Sequence, residues 1–100
     1  MAAICHMVLL KFKPDVPASR IDELFAQLAE LQSLIPGIRR FTGGPYSSPE
    51  GLNKGFTHGF LMEFDGAASR DVYLPHPEHE RVKGAIIPCI DDVVAFDFEA

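Results

Sequence analysis

Apolar and polar positions alternate along this chain with two different periods. From Ile4 to Phe12 the period is two: Ile4, His6, Val8, Leu10 and Phe12 share one face, and Cys5, Met7, Leu9 and Lys11 the other. That pattern predicts a strand whose two faces are both largely apolar. Pro14 and Pro17 end it, and Ser19-Arg20-Ile21-Asp22 supplies a capping residue followed by an acidic first turn. Ile21, Leu24, Phe25, Leu28, Leu31 and Ile35 then recur at three- and four-residue steps, while Asp22, Glu23, Gln27, Glu30 and Gln32 fall elsewhere, which predicts an amphipathic helix stopped by Pro36-Gly37.

A second strand is expected over Ile38 to Thr42, running out at Gly43-Gly44-Pro45. Tyr46 to Gly55 is rich in Ser, Pro, Gly and Asn and predicts a loop long enough to serve as a lid or binding loop. Strand pattern resumes from Phe56 to Phe64, with His58, Phe60, Met62 and Phe64 on one face. Gly66 to Leu74 is short and mildly helical, and Pro75-His76-Pro77-Glu78-His79 interrupts it before a further helical piece through Ile86. After Pro88, a last strand over Asp92 to Glu99 alternates Val93 and Ala95 with Val94, Phe96 and Phe98.

The resulting order, β-α-β-β-α-β, is the split-βαβ, ferredoxin-like plan of an α+β protein: a four-stranded antiparallel sheet with helices on one face. The first, third and fourth strands are apolar on both sides, yet two helices cover only one. An exposed apolar sheet face predicts self-association, in which a homodimer closes two sheets into a dimeric α/β barrel. Met7 and Leu9 would then face the partner copy, and His6, Val8 and His58 the space beneath the helices.

Composition narrows this further. One hundred residues, 47% hydrophobic and 23% charged, leave room for one globular domain over residues 1–100. The net charge of -5 and pI near 5.2, with Lys and Arg singly or in pairs, offer no cationic stripe for phosphates, so no nucleic-acid partner is expected. The opening apolar run is short, lacks a basic leader and contains His6, which predicts a cytoplasmic protein without signal or membrane contact. Cys5 and Cys89 stand alone and read as two buried reduced thiols.

Candidate chemistry rests on four histidines and a tyrosine. No two-His helical spacing or Cys/His cluster marks a metal site, and no phosphate loop or nucleophile elbow is present, so neither metal nor cofactor is expected. His6 and His58 lie on apolar strand faces and are either hydrogen-bonded core imidazoles or pocket residues. His76 and His79 flank Pro77 at a helix start, where free N–H groups disfavour a charged imidazole; they either cap the turn or, in a cavity, act as a neutral base. Tyr73, just before the break, either completes the core or points into a cavity beside His79. Tyr46 reads as an exposed or lid residue, and Glu78 as solvent-facing.

Taken together, His6-Met7-Val8-Leu9-Leu10-Lys11-Phe12-Lys13, Ile35-Pro36-Gly37, Phe56-Thr57-His58, Tyr73-Leu74-Pro75-His76-Pro77-Glu78-His79 and Phe96-Asp97-Phe98 give a chain that resembles the stress-responsive dimeric α/β-barrel (Dabb) family. The resemblance covers essentially the whole chain. It implies a homodimer with helices outside, and among the activities of that family are metal-free polyketide cyclisation and hydroxynitrile lysis, beside members without an assigned reaction. Carried onto this chain, it implies His79 as base and Tyr73 as the group that positions substrate. His6, His58, Val8, Leu10, Phe25, Leu28, Phe60, Val93 and Ala95 would line a pocket for a small apolar carbonyl compound or aromatic acid. The other outcome is a non-catalytic stress-responsive or ligand-binding dimer, because a shared fold does not fix function.

Overall fold

A computed structural model describes residues 2–100. The elements are β1 (Ile4–Phe12), α1 (Ala18–Leu34), β2 (Ile38–Pro45), β3 (His58–Phe64), α2 (Ala67–Tyr73), α3 (Pro77–Ile86), a 3-10 turn (Ile87–Cys89) and β4 (Ile90–Glu99). The four strands form one antiparallel sheet in the order β2-β3-β1-β4, the ferredoxin-like arrangement, with the second helical region split in two.

The period-two pattern sorts the strands as their sequence requires. Ile4, His6, Val8, Leu10 and Phe12 of β1 and Phe60, Met62 and Phe64 of β3 are buried, packed with Leu24, Leu28 and Leu31 of α1 and with Tyr73, Val82 and Ile86 of the shorter helices. On the opposite sheet face Met7, Leu9, Val94, Phe96 and Phe98 remain exposed, and β1 pairs Met7 with Phe96 and Leu9 with Val94 across its border with β4. Fully 62% of Phe96 is accessible, although it lies mid-strand. One chain therefore leaves a continuous apolar surface uncovered.

Several element ends differ from the sequence expectation, each for a local reason. Ser19 is not the cap of α1: the helix begins earlier, because the Pro17 carbonyl accepts from the N–H groups of Arg20 and Ile21 at 3.0 and 3.2 Å, which puts Ser19 inside the first turn. β2 continues through Gly43-Gly44 to Pro45, whose partners on β3 are Phe60, Gly59 and His58. A Cβ on Gly43 would come 2.6 Å from Phe60 Cβ and 2.9 Å from the Phe25 ring, so glycine here lets that ring lie against the strand. β3 starts at His58, because the Phe56 N–H turns back to the Asn53 carbonyl at 2.9 Å. β4 starts at Ile90, directly after the 3-10 turn.

Proline placement separates α2 from α3. Pro75 cannot continue α2, the His76 N–H closes a turn onto the Tyr73 carbonyl at 3.0 Å, and Pro77 occupies the first turn of α3. His76 caps α3, its Nδ1 accepting from the Glu78 N–H at 3.1 Å, so its role is structural. Of the two free cysteines, Cys5 is buried, while Cys89 is only partly so. Among the described residues, no helix is long and apolar enough to cross a membrane.

Candidate functional site

Two short helices set end to end cannot roof the sheet as completely as α1 does, and the shortfall lies over β1 and β4. There a cavity of about 320 Å³ opens between sheet and helices. This is at the lower end of the roughly 300–1,000 Å³ typical of small-molecule sites. Its floor is His6, Val8, Leu10, Phe60, Val93 and Ala95. Leu28, Tyr73, Leu74, His79, Lys83, Ile86, Ile87 and Ile90 form its walls and mouth.

His79 is held by the break between the helices. Its Nδ1–H donates to the Leu74 carbonyl at 2.8 Å, so in the neutral ring Nε2 carries the free lone pair. Burial is the largest influence on this imidazole and pulls its pKa below the ordinary 6.5. Lys83 and His6 push the same way, against the Leu74 hydrogen bond and Glu80. The ring is thus an uncharged base near neutral pH. Its plane lies 4.2 Å, centroid to centroid, from that of Tyr73.

Tyr73 is fully buried, and burial raises the pKa of its phenol, which stays protonated and can donate a hydrogen bond. His6 stands 5.9 Å from the Tyr73 ring. Its Nδ1–H donates to Asp97 Oδ1 at 2.5 Å, and Asp97 Oδ2 accepts from Arg70 Nη1 at 3.1 Å. The chain Arg70–Asp97–His6 fixes the imidazole edge-on and leaves its Nε2 unprotonated in the neutral tautomer.

Of the residues singled out in the sequence, His6, Val8, Leu10, Leu28, Phe60, Tyr73, His79, Val93 and Ala95 come together at this cavity, whereas Phe25 and His58 do not. Phe25 sits over β2 and β3, its ring 5.7 Å from His58 and 6.4 Å from Phe60, while the cavity lies over β1 and β4. His58 is at the far end of β3, packed edge-on to Phe12 at 5.1 Å and bonded through Nδ1 to the Thr57 hydroxyl at 2.9 Å. It borders a separate hollow with Leu9, Gly44, Tyr46 and Phe56. No residue of the 46–55 loop lines the main cavity. Tyr46 instead ties that loop together, its hydroxyl accepting from the Gly51 N–H at 2.8 Å.

The sequence pattern points to no site role for Asp97, Arg70 or Lys83. Asp97 alone leaves a trace in it: it occupies the helix-side position after Val93 and Ala95, and an acid in that apolar series signals a buried partner. That the partner is His6 follows only from the register, which pairs the two residues directly. Among the described residues, no group of three His, Cys, Asp or Glu side chains is placed to hold a metal ion.

The lowered pKa of His79 gives a pH dependence with a definite sign. Protons bind the unfolded ring at about 6.5 but the folded ring only at lower pH, so stability is lost as pH falls below about 6.5. The His79 ring protons followed by NMR should titrate with a midpoint below 6.5. The melting temperature should drop from pH 7.5 to pH 5.5, and His79→Gln should reduce that drop; a midpoint at or above 6.5 contradicts the assignment.

A ferredoxin-like α+β sheet with an apolar cavity, an uncharged imidazole and a buried phenol defines a small sheet-and-helix domain with a cavity between its layers. More particularly, the chain belongs to the stress-responsive A/B barrel domain (Dabb) family, whose model matches residues 4–100. A stress-response A/B barrel domain-containing protein of Arabidopsis thaliana is 34% identical over 94 residues, 93% of this chain and 82% of that protein. Olivetolic acid cyclase of Cannabis sativa is 26% identical over 77 residues, 77% of this chain and 76% of that protein. A dimeric ferredoxin-like protein of unknown function from Jannaschia sp. CCS1 superposes with a TM-score of 0.87 at 29% identity, covering 98% of this chain and 99% of that one.

Proposed function

We propose that this protein is a homodimer whose cavities each bind a small, mostly apolar carbonyl compound and move a proton to or from the carbon next to the carbonyl. The observation that carries the reading is the His79 ring, uncharged and held through Nδ1 at the cavity wall, beside a phenol that stays protonated. His79 Nε2 takes the proton from carbon, the C–H electron pair shifts into the C–C bond, and the carbonyl oxygen gains the charge. Tyr73 donates a hydrogen bond to that oxygen. The imidazolium then returns its proton, either to the same carbon or, after the enolate has attacked a second carbonyl, to the alkoxide oxygen formed there, and His79 is again neutral. The dimer is supported by the exposed apolar sheet face and by the dimeric relative of similar fold; the cyclase relative supports carbonyl chemistry.

Deuterium uptake at the methyl group of acetophenone in heavy water, followed by NMR, tests the reading. The wild type should accelerate uptake above buffer, and His79→Ala should lose at least a hundredfold of that acceleration while keeping its chemical-shift dispersion and dimer. Uptake that survives His79→Ala removes this residue from the mechanism. Binding of acetophenone without any uptake leaves a non-catalytic ligand-binding dimer.

A further inference from the structure

The polar groups on the cavity lining are unusual in kind. Among the described residues, His6, Tyr73, His79 and Lys83 are the ionisable side chains there and no carboxylate lines the cavity, although the chain carries a net charge of -5. The nearest acid, Asp97, is occupied by His6 and Arg70, and the Leu74 carbonyl by His79. The Nε2 atoms of His6 and His79 present lone pairs, so the donors on this lining are Tyr73 and Lys83; a ligand that satisfies them must bring acceptor oxygens, and at Lys83 a negative charge.

Lys83 stands on α3. Its Nζ lies 3.3 Å from Glu80 Oε1, but both side chains are about half exposed, at 48% and 49%, and such a helix-surface pair holds its members weakly. The ammonium group has two further donors and can turn to the cavity. Its field already reaches inward, since it is among the influences that lower the pKa of His79. The neighbouring cation, Arg81, does not line the cavity and is committed to Glu78 by two hydrogen bonds of 3.1 and 3.0 Å. Among the described residues Lys83 is the one available cation at the cavity, which suits a single carboxylate; a polyphosphate calls for several.

We infer that Lys83 determines specificity: the cavity selects small, mostly apolar monocarboxylates, with the carboxylate at Lys83 and the ligand's carbonyl inward at Tyr73 and His79. This rests on the cavity being the ligand site proposed above, but not on its catalysing proton transfer.

The test compares 4-acetylbenzoate with its neutral counterpart, 4-acetylbenzamide, by NMR titration of the full chain at low salt. The wild type should bind the carboxylate at least fivefold more tightly, about 1 kcal/mol, and added salt should shrink the preference. Lys83→Met keeps the apolar stem and should equalise the two ligands, while Lys83→Arg should retain the preference. Equal affinities in the wild type, a preference that survives Lys83→Met, or binding of neither ligand would overturn the inference. A preference that persists while acetophenone takes up no deuterium would sink the catalytic reading alone.

Discussion

Met7→Lys is expected to leave the chain folded but monomeric at micromolar concentration, where the wild type forms the proposed dimer. Met7 projects from the middle of the exposed sheet face, beside Phe96 on β4 and Leu61 on β3. In the monomer the new ammonium group would stay in water, so folding loses little. In a twofold dimer the substitution occurs twice on one interface, and each charge must leave water without a partner. Each costs several kcal/mol at a buried site, and every 1.4 kcal/mol is a factor of ten in Kd. Sedimentation or size-exclusion chromatography with light scattering checks the mass, and Phe96→Lys on the adjacent strand should act alike. An intact dimer in both variants would place the interface on another face.

Tyr73→Ala should destabilise the fold by about 3–5 kcal/mol, the range for truncating a large buried ring. Tyr73 has no exposed surface and packs 5.0 Å from the Phe64 ring as well as against His6 and His79. Against a total stability of roughly 5–15 kcal/mol, the variant would sit near the edge of folding. Tyr73→Phe separates the ring from its hydroxyl: the packing stays, stability changes by about 1 kcal/mol or less, and deuterium uptake should fall at least tenfold. Chemical denaturation and the acetophenone assay measure the two effects separately. A Tyr73→Phe protein with full uptake would confine Tyr73 to the core.

The position of Tyr73 before the helix break suits either the core or a cavity, and in the fold its ring is buried in the core and also borders the cavity. The histidines divide less symmetrically. His79 and His6 reach the cavity, His76 caps a helix, and His58 is two strand positions beyond Phe60, behind the Phe25 ring. Nothing in the spacing of His58 distinguishes it from His6, because both occupy apolar strand faces. The difference arises from where the helices stop: α1 covers the β2 and β3 side with Phe25 over Gly43, and the shorter helices leave β1 and β4 partly open.

The period-two and helical patterns by themselves determined the element order, the buried faces of β1 and β3 and the surplus of apolar surface on the other side of the sheet. These depend on residues close in sequence, where backbone geometry fixes which side chains share a face. The break at Pro75 to Pro77 was likewise legible, because proline acts on its own backbone. Only the tertiary structure decided that Asp97 meets His6, that Arg70 meets Asp97, and that Lys83 stands at the cavity mouth. His6 and Asp97 are 91 residues apart in the chain and adjacent in the sheet. Strand register and helix packing bring them together, and neither the propensity nor the spacing of either residue encodes that pairing.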